Sequence, residues 1–446
     1  VQQKFITFPI HQVITLFVVT LIGILLSVGF SQPLLFGFLP GFLFLCRMIT
    51  SKGVSLSEVT SMSWSGIKKT RGVIYILLLV SLLLPSWYLG GTIDQLVSVA
   101  LQIITVEHYF LMSFIVSVIF SMILGTSVGT LSAIGIPIMS GAVAIGLPAE
   151  IVAGSVISGA FVGDRTSPFS SAFQLVCHTI ETKVNHQFKA FLPSTLLAIV
   201  IGILFFGFFD SIYSKQIVWN EALNTVGTQA SILNFLPPII LIAFVITRIK
   251  IIYAFLWSII AASWIAIYKG VGFDDLFHAL WFGTEGVGGG FTNMYLLLLF
   301  LALAGAYNGL LETYHVIQPL LDRWLVSSSN IVIDTFKVML ATLGITLIAA
   351  NQTLPIILTG RSFLPHWKSK YGSGELGRVM GDSTMLFPGM VPWSVLAIMC
   401  STVVGVPLFS YLPYAVLLWS LPILSLIISL ILHRRKKYHH ILQESN

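Results

Sequence analysis

Two aspartates stand in stretches able to handle a cation. Asp164 lies in GDRTSPFSS and Asp382 in GDSTMLFP, and hydroxyls follow each acid: Thr166 and Ser167 in the first, Ser383 and Thr384 in the second. A carboxylate, neighbouring hydroxyls and freed backbone carbonyls make an all-oxygen shell suited to a hard cation such as Na+. The same carboxylate can take a proton instead, and if the two compete for one site that faces each side in turn, exchange follows by mass action. Two other polar clusters could close such a site: Thr126, Ser127 and Thr130 in GTSVGT, and Asn351, Gln352 and Thr353 in NQTLP. Arg165 can neutralise Asp164, pair with Asp382, or grip the carboxylate of an organic substrate through its bidentate fork. Plainer readings stand beside these. Asp164 and Arg165 could be a charge pair pinning two helices. The glycines could serve close helix packing, and Asn351 and Gln352 could bond across helices.

The elements that must position these residues are membrane helices. Of 446 residues 56% are hydrophobic and 9% charged, against about a quarter charged in a soluble domain. Apolar runs long enough to cross a bilayer, roughly 17 to 25 residues, recur from end to end. Residues 1–446 therefore read as one membrane transport domain, with the lipid bilayer as its partner. In such a setting a carboxylate costs roughly 2.5–3.5 kcal/mol to insert, which makes it a functional residue by default. Both acids lie where Gly and Pro interrupt a helix, and an interrupted membrane helix must line a cavity or face protein. The excess of Lys and Arg falls between apolar runs, so it speaks for topology and not for a nucleic-acid partner. Cys46, Cys177 and Cys400 show no CxxC spacing and read as packing residues. The histidines lie mostly at segment ends without an HExxH pattern, and Trp64 and Trp281 read as interface anchors. The first apolar run, residues 10–30, has no small-residue cleavage site after it and reads as a retained helix.

The chain repeats itself. KGVSLSEVTSMSWSG at Lys52–Gly66 is echoed by KGVGFDDLFHALWFG at Lys269–Gly283, an offset of 217. Pro137 pairs with Pro355, and Gly163, Asp164 and Thr166 pair with Gly381, Asp382 and Thr384, an offset of 218. Residues 10–210 thus form one repeat and 228–432 the other. In the first, the segments are 10–30, 33–49, 73–90, 109–146, 150–178 and 189–209. The fourth has arms of about 16 residues, roughly 24 Å each, which favours a re-entrant hairpin with its tip at GTSVGT. The expected fold is an all-α polytopic membrane protein of two inverted-topology repeats, about ten transmembrane helices plus two re-entrant hairpins, with discontinuous helices at the core. Loop charge supports that parity. With the N-terminus cytoplasmic, the inside loops hold Lys52, Lys68, Lys69, Arg71, Lys183, Lys189, Arg248, Lys250, Arg323, Arg361, Lys368, Lys370, Arg378 and the HRRKK tail, and the outside loops only Lys215 and Lys269. Both termini are expected in the cytoplasm.

At these residues the chain resembles the NhaC family of sodium/proton antiporters, within the ion transporter superfamily. The segments that carry the resemblance are GTSVGTLSAIGIP, GSVISGAFVGDRTSPFSS, NQTLPIILTGR and GDSTMLFPGMVPW. It implies a bacterial cytoplasmic (inner) membrane protein, two discontinuous core helices, and exchange of cytoplasmic Na+ for external H+, with no cofactor beyond these transported ions. Some relatives move malate against lactate, or amino acids, so a small organic anion or amino acid is the alternative cargo. The chain departs from the family pattern at two places, where Ser171 and Gly381 stand at positions that commonly carry acids. A homodimer is compatible with this architecture. An enzyme is not expected: Ser167 and His178 lack a GxSxG-type turn. A channel would need a continuous polar lining, which the scattered breaks do not supply. Asp382→Asn is expected to abolish coupled transport with folding near normal.

Overall fold

The computed structural model describes residues 7–30, 32–95, 106–213, 231–247, 249–284, 289–324 and 330–444, which are helical with no strand among them. Lys215, Arg248 and the start of the second repeat at 228 lie outside the described residues, as do the side chains of Arg323, Arg435, Lys436 and Lys437. The first half runs α1 Ile10–Gly29, α2 Leu34–Thr50, α3 Leu56–Leu89, α4 Tyr109–Leu124, α5 Ser127–Ala144, α6 Ala149–Thr166, α7 Ser171–Thr179 and α8 Val184–Tyr213. The second runs α9 Leu236–Ile246, α10 Ile251–Tyr268, α11 Phe273–Phe282, α12 Phe291–Thr313, α13 Gln318–Trp324, α14 Ile331–Ala349, α15 Thr353–Lys370, α16 Ser373–Asp382, α17 Val395–Val404, α18 Leu408–Tyr411 and α19 Val416–Glu444. Among the described residues eight helices, α1, α3, α5, α8, α10, α12, α14 and α19, are long and apolar enough to cross a membrane. This is a multi-pass membrane protein.

Several basic residues assigned to loops by the sequence sit on helices instead. Lys68, Lys69 and Arg71 belong to α3, whose 34 residues make a rod about 51 Å long at 1.5 Å per residue. That exceeds a hydrocarbon core of about 30 Å, so one end of α3 must project beyond it. The polar start is capped by Ser55, whose side chain accepts the Glu58 N–H at 3.2 Å. Arg361 and Lys368 lie on α15, and Arg378 lies buried on α16.

The helices that matter for the site are held by few, specific devices. α4 starts against the Asp210 side chain of α8, which accepts the Phe110 N–H at 2.9 Å and the Leu111 N–H at 3.0 Å. A carboxylate satisfies the orphan amides there and complements the positive end of the helix dipole. α4 then packs along α6 so closely that a Cβ on Gly163 would lie 1.9 Å from the Ser121 carbonyl oxygen. Buried apolar side chains form two clusters, one including Phe38, Tyr307 and Trp367, the other Trp87, Phe114 and Tyr411.

Four breaks interrupt this frame. α4 stops at Gly125, in the left-handed region at φ 69°, and α5 restarts at Ser127 with Thr126 as its cap. A π-turn at Leu131–Gly135 lies inside α5, a feature frequent at functional sites. α6 ends before Pro168, and Ser170 caps α7 by accepting the Phe173 N–H at 3.1 Å. α14 ends at Ala350, left-handed at φ 53° without being glycine; that strained conformation is pinned by the Val395 N–H, which donates to the Ala350 carbonyl at 2.8 Å. α16 ends at Asp382, and an irregular stretch leads to α17.

Candidate functional site

Asp164 lies at the end of α6 and is buried, 7% exposed. Its Oδ1 accepts the Ser127 backbone N–H at 3.5 Å, and its Oδ2 accepts Gln352 Nε2 at 3.3 Å. The breaks after α4 and after α14 therefore converge on this one carboxylate, one through an amide at the start of α5 and the other through a side chain at the start of α15. Both bonds are long for N–H···O. The local chain end is better tied: Ser170 Oγ donates to the Asp164 carbonyl at 2.5 Å.

Asp382 is in a different situation. Two guanidiniums flank it. Arg165 Nη2 forms an ion pair with Oδ1, and Arg378 Nη1 stands 3.5 Å from Oδ2. Ser194 Oγ donates to Oδ1 at 3.1 Å. Of the three roles open to Arg165, the structure brings it to Asp382. Its other bonds go to neutral oxygens: Nε to the Gly381 carbonyl at 3.1 Å, Nη1 to Thr195 Oγ1 and Nη2 to Ser194 Oγ at 2.7 Å. The Phe191 ring covers one face, 4.5 Å from the guanidinium carbon. Four of its five N–H groups are thus engaged, which leaves no bidentate fork for an incoming anion. Arg378 in turn reaches Glu375 at 3.0 Å, Ser425 Oγ at 2.8 Å and Ser429 Oγ at 3.0 Å. The network ties α6, α8, α16 and α19 together.

The hydroxyls named from sequence mostly serve their own helices. Thr166 Oγ1 donates to the Val162 carbonyl at 2.5 Å, Ser383 Oγ to Val379 at 2.6 Å, and Ser167 Oγ across to the Met122 carbonyl at 2.8 Å. Thr384 Oγ1 is buried with no hydrogen-bond partner. Thr126 Oγ1 caps α5 by accepting the Gly129 N–H at 3.4 Å, and Thr130 Oγ1 donates to the Thr126 carbonyl at 2.8 Å. Asn351 Oδ1 accepts the Leu354 N–H at 3.0 Å, and Thr353 is exposed. Gln352 alone among them reaches an acid; its Nε2 also donates to the Met385 carbonyl at 2.8 Å. Two of the carbonyls freed at the end of α14 are also spoken for: Trp393 Nε1 donates to Leu347 and Asn308 Nδ2 to Ala349.

Sequence reasoning missed Arg378, Ser194, Thr195 and Met385. Arg378 carried a usable signal, since it precedes Asp382 by one helical turn, the spacing at which side chains meet. Ser194 and Thr195 carried none beyond their place beside Pro193 in an apolar run.

Curated relatives extend along nearly the whole chain. A Na(+)/H(+) antiporter NhaC of Bacillus subtilis (strain 168) is 25% identical over 459 residues, covering 96% of this chain and 99% of the relative. A second Na(+)/H(+) antiporter NhaC, from Alkalihalophilus pseudofirmus, is 25% identical with 84% and 85% covered. Along nearly its whole length the chain is similar to NhaC antiporters. No family model matches it. A malate-2H(+)/Na(+)-lactate antiporter of Bacillus subtilis is likewise 25% identical, with 81% of each chain covered. Measured against the NhaC pattern, the glycine at 381 has a packing reason: a Cβ there would lie 2.3 Å from the Phe191 ring. An acid at that position would displace the ring that covers Arg165. Ser171, the other departure, is the exposed first residue of α7.

Proposed function

We propose that this chain exchanges Na+ for H+ across the bacterial cytoplasmic membrane by alternating access, with Asp164 as the group that carries either ion. One observation carries this reading. Of the four buried carboxylates among the described residues, Asp382 is held by two guanidiniums, Asp334 by His366 and Tyr371, and Asp210 by two backbone amides. Asp164 has no such close partner; two long hydrogen bonds hold it, both from the helix breaks. A carboxylate held that weakly can trade its partners for a proton or a cation. The names of the NhaC relatives, Na(+)/H(+) antiporters, agree with this cargo.

One carboxylate with neutral oxygens around it suits a monovalent ion, whereas divalent sites use more charge. Na+ and H+ are cargo here, and the cycle calls for no resident cofactor. Two halves at 10–210 and 228–432, related as inverted repeats, would let one bundle rock about Asp164. The pairing of motifs at offsets of 217 and 218 supports that symmetry, and the basic residues that do lie between helices, among them Lys52, Lys183 and Lys250, support cytoplasmic termini. The organic-solute alternative would lean on Arg165, whose bidentate fork is already engaged by Asp382, Ser194 and Thr195.

The test is proton flux in proteoliposomes holding a pH gradient, with NaCl, LiCl, KCl, malate and neutral amino acids added in turn. Na+ or Li+ should dissipate the gradient. Silence with cations and a response to an organic solute would assign the solute-carrier function instead.

A further inference from the structure

Gln352 stands where a cation would have to go. Its Nε2 lies between two oxygens from different parts of the fold: Asp164 Oδ2 at 3.3 Å and the Met385 carbonyl at 2.8 Å. Both are acceptors only, a carboxylate and a backbone C=O, so the amide must present its NH2 to them; turned over, its own oxygen would face two oxygens. An NH2 group between two oxygens does electrostatically, with partial charge, what a small cation does with full charge. Hard cations are held by carboxylate and carbonyl oxygens at roughly 2.3–2.6 Å, so the same pair could close on an ion after a modest approach. The side chain is also placed to leave. Gln352 sits at the break between α14 and α15 and is half-buried, and its backbone caps α15 whichever way the side chain points.

We propose that Gln352 competes with the transported cation for one position: a cation bridging Asp164 Oδ2 and the Met385 carbonyl displaces the Gln352 amide. The consequence is a moderated affinity. Entry of the ion breaks two hydrogen bonds, and return of the amide helps eject it. Gln352 is thus a specificity and release device, not a ligand, and the proposal rests on the assignment of Asp164 as the ion-carrying group.

The experiment measures the Na+ concentration giving half-maximal proton flux, and the maximal flux, in proteoliposomes of wild type, Gln352→Ala, Gln352→Leu and Asp164→Asn. Loss of the competing amide should lower the half-maximal Na+ concentration, on the order of tenfold for a bond to a charged group, and should lower maximal flux as release slows. Gln352→Leu keeps the volume of the side chain, and Na+-dependent thermal stabilisation in detergent reads the same affinity in any variant that does not transport. An unchanged or raised half-maximal concentration in both Gln352 variants, with Asp164→Asn silent, overturns the competition and leaves the ion site standing. Normal exchange in Asp164→Asn removes the site itself.

Discussion

Neutralising Asp164 and neutralising Asp382 should have opposite signatures, although the two acids sit in matching motifs. Asp164→Asn retains an acceptor for Gln352 Nε2 and strands no buried cation. It should melt near the wild-type temperature in detergent while Na+-driven proton flux falls to background. Asp382→Asn removes the carboxylate shared by Arg165 and Arg378, leaving two guanidiniums buried at 1% and 3% exposure without their common counter-charge. Breaking such a buried pair costs about 3–5 kcal/mol, so this variant should show a clearly lowered melting temperature or lost expression. Retained stability in Asp382→Asn would mean that the arginine network is looser than its geometry. The motif match placed both acids correctly at helix ends. It did not separate their roles, because Arg165 and Ser194 reach Asp382 through packing of α6 and α8 against α16, and the local sequence carries no trace of which helix lies alongside.

At the scale of elements, the site depends on helices whose ends are fixed from a distance. Asp210, far along the chain, holds the start of α4, and α4 sets the position of the Gly125 break. Asp210→Ala should lower stability by about 1–2 kcal/mol, read as a lower melting temperature, with exchange retained at moderate temperature. Gly163→Ala acts at the other end of the same helix pair. Its methyl would meet the Ser121 carbonyl, so α4 and α6 must separate, and both expression and flux should drop. Gly and Pro marked the breaks after α4 and α6 legibly, since each residue type limits the backbone in a known way. The Ala350 break was not legible from residue type, because alanine favours helix; its left-handed conformation is imposed by Val395 of α17 bonding to its carbonyl.

For the whole molecule, the orientation inferred from charge is open to direct labelling. A cysteine replacing exposed Lys52 should react with an impermeant thiol reagent only from the cytoplasmic side. One replacing exposed Asp274, beyond α10, should react only from outside. Labelling of both from one side would contradict the inverted arrangement. What the sequence determined by itself is what short-range physics dictates: a membrane protein, because no other solvent accepts 56% hydrophobic residues with 9% charged; the helical spans, because the bilayer forces backbone groups to pair within a segment; and the carboxylates, because charge in such spans is costly. The tertiary structure decided which acid is committed to arginines and which is loosely held, and that Gln352 stands between Asp164 and Met385. Those are contacts between residues up to 217 apart in the chain, and at that separation partnership is set by how helices pack and not by the residues that flank each one.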